Sequence, residues 1–87
     1  MSERSARNEV RNPLLAVPAV VEALRALDPS QREALRIVLR AVREIALVKE
    51  RESYRKRKGP MVSYWMATAT YAKHAANVIG RLSRGAA

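Results

Sequence analysis

The stretch DPSQREALRIVLRAVREIALVKER, residues 28–51, decides the fold of this chain. Asp28 is suited to cap a helix, Pro29 to fill its first position, and Gln31 to complete a capping box three residues after the cap. The sequence then stays free of proline and glycine as far as residue 58. We therefore expect a long central helix over residues 29–55, which starts at a sharp angle to the segment before it.

The predicted central helix is apolar around about half of its circumference when successive residues are projected at about 100°. A surface helix needs an apolar stripe of only about 100°, so this helix must pack on two sides. A chain of 87 residues offers few internal partners for the second side. A second copy of the chain is therefore expected to cover it. The apolar positions are Ala34, Leu35, Ile37, Val38, Leu39, Ala41, Val42, Ile45, Ala46 and Val48.

Shorter helices are predicted on both sides of the central one. Apolar residues spaced by three and four predict a helix over residues 18–27, with Pro18 in its first turn. Gly59 and Pro60 are expected to stop the central helix. A third helix over residues 61–82 then carries a ridge of alanines that lets another helix approach closely. Because no alternating strand pattern occurs, the predicted fold class is all-α, with three-helix chains forming an intertwined or side-by-side homodimer.

The predicted helices form a single domain over residues 13–84. Residues 1–12 lack apolar periodicity and are interpreted as a flexible arm, and residues 85–87 are expected to fray. The dimer interface is predicted to combine the central helix with the ridge of the third helix. Its residues are Val38, Val42, Ile45, Trp65, Ala69, Ala72 and Ala76.

Composition excludes several kinds of active site. The chain has no cysteine and a single histidine, His74, so thiolate and multi-histidine metal sites are excluded and no cofactor is expected. Acidic residues lie three or four positions from basic ones, as in Glu33 with Arg36 and Arg40 with Glu44, which is typical of surface ion pairs. No Gly-rich phosphate loop or nucleophile motif is present. We therefore expect a protein that is not an enzyme.

Membrane insertion is not expected either. No apolar run approaches the ~20 residues of a membrane-spanning helix, and the N-terminal residues show no secretory signal. The predicted location is cytoplasmic.

The basic residues carry the functional prediction. Seventeen Lys and Arg face eight Asp and Glu, for a formal net charge of +9. The forked donors of arginine suit phosphate oxygens, so we expect a small accessory or regulatory protein that binds DNA or RNA through the phosphate backbone. The candidate contacts are Arg36, Arg40, Arg43, Arg55, Lys56, Arg57 and Lys58. The alternative is an adaptor or inhibitor, of the type encoded by phages and plasmids, whose cations dock on an acidic protein.

Residues 23–35, ALRALDPSQREAL, resemble the entry to the DNA-binding C-terminal region of bacterial sigma factors. The likeness covers 13 of the 87 residues. It implies a helix-turn-helix in which Ser30, Gln31 and Arg32 read bases from the tip of the central helix. The glycine-containing turn and short recognition helix of that family do not follow in residues 36–51. Phosphate contacts are therefore predicted in preference to sequence-specific readout.

Overall fold

A computed structural model describes residues 12–84 of the chain, and this part is entirely helical, without strands. A short 3₁₀ turn, Pro13–Ala16, leads into α1 (Pro18–Ala26), which is followed by α2 (Pro29–Arg55) and α3 (Gly59–Ser83). The predicted all-α class and the long central helix are confirmed. The predicted flexible arm before residue 12 and the frayed residues 85–87 lie outside the described residues.

The joint between α1 and α2 is the predicted capping box. The Asp28 carboxylate accepts a hydrogen bond from the Gln31 backbone N–H at 3.0 Å, and the Gln31 side chain accepts one from the Asp28 N–H at 3.0 Å. These bonds, together with one from the Ser30 hydroxyl at 2.8 Å, hold the pKa of Asp28 below its usual range. Because the carboxylate stays charged, it also stabilises the positive end of the α2 dipole.

Arg32 also stabilises this joint, through a contact with the end of α1. Its guanidinium Nη1 donates to the Leu27 carbonyl at 2.7 Å, directly after the last turn of α1. A cation at that place stabilises the negative end of the α1 dipole. Ser30, Gln31 and Arg32 are all engaged within the joint, and α2 continues unbroken to Arg55, so no short recognition helix follows the turn.

The turn between α2 and α3 differs from the prediction. Arg57 adopts a left-handed conformation with φ 57°, and its N–H donates to the Tyr54 carbonyl at 3.0 Å. The Lys58 N–H donates to the Ser53 carbonyl at 2.9 Å, which completes a Schellman motif. Arg57 therefore ends α2 in the position that glycine usually fills. Gly59 and Pro60 instead begin α3, where a first-turn proline loses no hydrogen bond.

Because only three residues connect them, α2 and α3 run antiparallel and form a helical hairpin, which provides most of the packing between elements. Ala46 of α2 is fully buried, and Ala69, Ala72 and Ala76 of α3 are nearly so. Small side chains at these positions let the two helix axes lie close together. The alanine ridge of α3 thus packs against α2 of the same chain.

A larger core lies at one end of the hairpin, where α1 and the 3₁₀ turn cover it; we call this end the head. Val78 and Ile79 are buried there with Leu24, and leucines from every helix surround them. Asn12, which was predicted to be part of the flexible arm, belongs to the head. It is 9% exposed, and its side-chain amide donates to the His74 carbonyl at 2.8 Å. A buried amide that is hydrogen-bonded to α3 fixes this residue in the folded domain.

Other apolar residues of α2 lie outside this core and are exposed within residues 12–84, both beside the head and toward the turn. Ile45 is 57% exposed and Val38 is 55% exposed. We call six of these exposed positions the apolar strip: Ile37, Val38, Ala41, Val42, Ile45 and Val48. Beside it, a shallow apolar groove of about 490 Å³ runs between Val42 and the exposed Tyr64 and Tyr71 of α3.

Candidate functional site

Basic side chains of α2 and α3 converge on one groove of about 460 Å³. Arg36, Arg40 and Arg43 line it from α2, because spacings of four and three place them on one side of that helix. Lys73 lines it from α3, and Arg84 lines it from the position directly after that helix. None of the described residues that line this basic groove is acidic. The arrangement concentrates positive charge between two fixed helices, and it suits an anion with several charges.

The five cations of the basic groove differ in how far they are neutralised. Arg36 forms a bidentate pair with Glu33, with Nη2 to Oε2 at 2.7 Å and Nε to Oε1 at 3.0 Å. This pair lowers the pKa of Glu33 and raises the pKa of Arg36. No ion pair within residues 12–84 involves the other four, and the expected pair of Arg40 with Glu44 does not form. These four charges are available to a ligand.

Small residues lie between these cations. Ala72, Ala76 and Gly80 line the basic groove beside Asn77, where larger side chains would fill it. A Cβ atom built at Gly80 would come 3.4 Å from Nη1 of Arg84, which is ordinary contact. These small residues leave the centre of the basic groove open, and the cations lie around it, an arrangement that a phosphate group can enter.

Sequence reasoning did not identify Lys73 and Arg84 as candidates. They join the site because α3 runs back along α2, a tertiary fact that neither helix encodes alone. A signal was present nonetheless: Lys73, Gly80 and Arg84 are spaced by seven and four, so they lie on one face of the third helix. Combined with the short connection, that face could have been matched to the Arg36–Arg43 side of α2.

The other predicted contacts form a separate group at the far end of the hairpin. Arg55, Lys56, Arg57 and Lys58, which we call the loop cluster, are all exposed. At a rise of about 1.5 Å per residue, Arg55 lies about 18 Å beyond Arg43 along the α2 axis. Tyr54 stands beside this cluster and is 75% exposed, above any other large apolar or aromatic residue among the described ones. The two predicted basic groups thus lie apart along the hairpin.

The predicted interface residues also divide into two sets. Val38, Val42 and Ile45 lie exposed on the apolar strip. Ala69, Ala72 and Ala76 are buried against α2 of the same chain, so a second copy is not needed to cover them. Trp65 is partly buried and makes an edge-on contact with Tyr64, with ring centroids 4.8 Å apart.

Other features of the described residues add no competing site. His74 is partly buried, with its ring edge-on to Tyr71, and its carbonyl accepts the Asn12 hydrogen bond. Across residues 12–84, no three His, Asp or Glu side chains are grouped closely enough to hold a metal ion. No helix in this range combines the length and apolarity that crossing a membrane requires.

The chain matches no protein-family model, no curated protein and no solved structure.

Proposed function

We propose that this protein is a small, non-catalytic nucleic-acid-binding protein that grips the phosphate backbone with its basic groove. The convergence of Arg40, Arg43, Lys73 and Arg84 on one groove, without an acidic residue in its lining, is the observation that carries the proposal. Like charges held together repel one another, and a polyanion relieves that repulsion. Nucleic acid is the polyanion whose regularly spaced phosphates suit a row of fixed cations.

The loop cluster gives this proposal a second contact. A site about 18 Å farther along α2 lies within reach of the same duplex, because ten base pairs extend over about 34 Å. Contacts of this kind position the protein without reading base sequence. The proposed binding is therefore strong at low salt and similar for different sequences.

The test is a salt titration of binding to duplex DNA, single-stranded DNA and RNA. We expect micromolar or tighter binding that weakens steeply as salt rises, because each neutralised phosphate releases counterions. The variant R40A/K73A removes two cations of the basic groove. The matched control R25A/K49A removes the same formal charge from cations already paired with Glu22 at 3.7 Å and Glu52 at 3.9 Å.

A drop in affinity for R40A/K73A but not for R25A/K49A supports the basic groove as the site. Equal drops would reduce the effect to net charge and contradict the assignment. If none of the three nucleic acids binds at ~50 mM salt, the proposal fails, because the free energy gained from counterion release is larger at low salt. The alternative, an adaptor that docks on an acidic protein, then takes its place.

We propose further that the protein acts as a homodimer joined through the apolar strip. The strip and the adjoining Tyr64 and Tyr71 bring together seven large apolar or aromatic side chains, each at least 39% exposed. A contiguous exposed apolar surface of this kind marks an interaction site on a protein. A two-fold axis through the strip would bring the same apolar surface of both copies together, since such an interface is self-complementary.

A second copy suits this surface for two more reasons. Leu39 belongs both to the core of the head and to the shallow apolar groove, so the open surface continues a core that α1 already covers at one end. The cations of the basic groove lie on the other side of α2, which keeps the charges of two copies apart. Sedimentation at ~10 µM should therefore give a dimer with a formal charge of +18, twice the +9 of one chain. A monomer at that concentration contradicts this part of the proposal.

A further inference from the structure

The basic groove and the middle of the apolar strip lie on different sides of α2, and Ile37, three positions from Arg40, lies at the near edge of the strip. Arg40 and Ile45 are five positions apart, which on an α-helix corresponds to a rotation of about 140°. The same rotation separates Val38 from Arg43. The described part of the chain measures 43 × 37 × 19 Å. A dimer joined through one surface leaves the other facing away from the partner.

We infer that the dimer carries two basic grooves directed away from each other and therefore bridges two separate nucleic-acid segments. This inference rests on the proposed function, both the phosphate binding and the apolar-strip dimer. It adds an activity that a single groove cannot perform, namely holding two duplexes, or two distant parts of one duplex, in the same particle.

The stiffness of nucleic acid prevents one short duplex from filling both grooves. Two copies, each at least 19 Å across, would lie between the outward-facing surfaces of the dimer. Duplex DNA has a persistence length of about 150 bp, and bending even 20–30 bp through 90° costs up to several kcal/mol. A duplex of about 30 bp bound in one groove therefore leaves the other groove free. The second groove then takes up a second duplex.

The experiment immobilises a biotinylated 30-bp duplex on beads and offers a fluorescent 30-bp duplex in solution together with the protein. We expect the fluorescent duplex to stay on the beads only when the protein is present. Sedimentation of the soluble complex should show two duplexes for each dimer, which distinguishes bridging from aggregation. A parallel series with duplex RNA tells whether both nucleic acids are bridged.

Two variants separate bridging from binding. Ile45→Glu and Ile45→Lys both interrupt the apolar strip at a residue that is 57% exposed, so the fold of the single chain is expected to persist, as circular dichroism can show. Both should bind duplex in a direct titration and lose most of the retention on beads. Because their charges are opposite, a loss shared by both variants reflects the interrupted strip and not the net charge.

The outcomes distinguish this inference from the function on which it rests. Binding with one duplex per dimer and no retention overturns bridging while the proposed function stands. Retention by the Ile45 variants equal to that of the wild type also overturns it, since bridging would then not need the strip. If the wild type binds no duplex, the inference fails. If it also binds neither single-stranded DNA nor RNA, the proposed function fails with it.

Discussion

The two basic groups of this protein contain the same residue types but differ in how their positions are fixed. In the basic groove, five cations project from two packed helices, and the positions of the helices are set by the buried alanines between them. In the loop cluster, four consecutive cations follow the end of one helix and pass through a left-handed residue, Arg57. The first group forms a shaped site, whereas the second forms an exposed concentration of charge.

This difference shows how arrangement changes the effect of equal charge. Cations that converge on one groove can contact one ligand together, and the helices that carry them are already packed before it binds. Neighbouring residues of a turn point in different directions, so only some of them can contact a given strand at once. Exposed, solvated ion pairs are also weak, typically worth about 0.2–1 kcal/mol each. The predictions that follow test this comparison.

Removing three cations from the basic groove should have the largest effect. At roughly 1 kcal/mol for each lost charge-assisted contact, the variant R40A/R43A/K73A should bind duplex DNA about a hundredfold more weakly. Its melting temperature should stay unchanged or rise, because alanine forms helix well and like-charge repulsion is relieved. Fluorescence anisotropy and thermal melting measure the two effects. A loss of stability would mean that these cations support the fold, and the basic groove would then be a structural feature.

The same number of cations removed from the loop cluster should matter less. The variant R55A/K56A/K58A should bind about tenfold more weakly, at roughly 0.5 kcal/mol for each exposed contact. The slope of log affinity against log salt should flatten by up to about 0.9 for each phosphate contact that is lost. Since both triple variants lose three positive charges, each serves as the control for the other. Equal losses of affinity in the two variants would contradict the distinction between the basic groove as a shaped site and the loop cluster as an exposed group of charges.

A third prediction concerns the one carboxylate that restrains a cation of the basic groove. In Glu33→Gln, Arg36 loses its bidentate partner, and the groove gains a free cation. Affinity for duplex DNA should increase about threefold, a gain of under 1 kcal/mol as expected for an exposed charge. Glu44→Gln makes the same charge change at a residue without an ion pair among those described. Equal gains in both variants would show that net charge is responsible.

The pH dependence of this pair has a defined sign. Because Arg36 lowers the pKa of Glu33, the pair contributes stability above the usual carboxyl range, about pH 4, and loses it as the pH falls through the lowered value. At neutral pH the Glu33 carboxylate is charged and paired with Arg36. Only the substitution therefore releases Arg36 from this pair. The difference in affinity between Glu33→Gln and the wild type should therefore be constant between pH 6 and 8, as anisotropy at fixed salt can show.

The smallest change in binding, about twofold, is expected for Arg57→Gly. The same variant should be more stable by about 1 kcal/mol, because glycine adopts the left-handed conformation without the steric cost that arginine incurs. For a domain of this size, the melting temperature should then rise by about 4–8 °C. Arg57→Ala is the control, since it removes the charge and keeps the strain. If both variants have the same melting temperature, the strain at Arg57 is not significant.

The sequence predicted α2 well because its start is encoded locally. Asp28, Pro29 and Gln31 form the capping box within four residues, and no distant contact is needed to recognise it. The start of α3 was predicted two residues late, because Gly59 and Pro60 were interpreted as a stop signal. The actual stop uses a left-handed Arg57, which residue preferences disfavour and which only the fold reveals.

The candidate site could be predicted in part, for a similar physical reason. Arg40 and Arg43 follow from the spacing within one helix. Lys73 and Arg84 required the register between two helices, which periodicity does not supply. Periodicity also does not tell which helix covers an alanine ridge. Ala69, Ala72 and Ala76 were therefore predicted to contact a second chain, whereas in the structure they pack against α2 of the same chain.

The hydrogen bond from Asn12 to the His74 carbonyl has a consequence for the order of folding. It joins residues 62 positions apart, whereas α2 and α3 meet across a turn of three residues. Closing a long segment of chain costs more entropy than closing a short one, so local contacts form faster. The α2–α3 hairpin should therefore assemble first, and α1 with its 3₁₀ turn should dock on it last. In pulsed hydrogen exchange during refolding, amide protection in the middle of α2 and α3 should precede protection in α1. The basic groove, built from those two helices alone, would then be complete before the head closes.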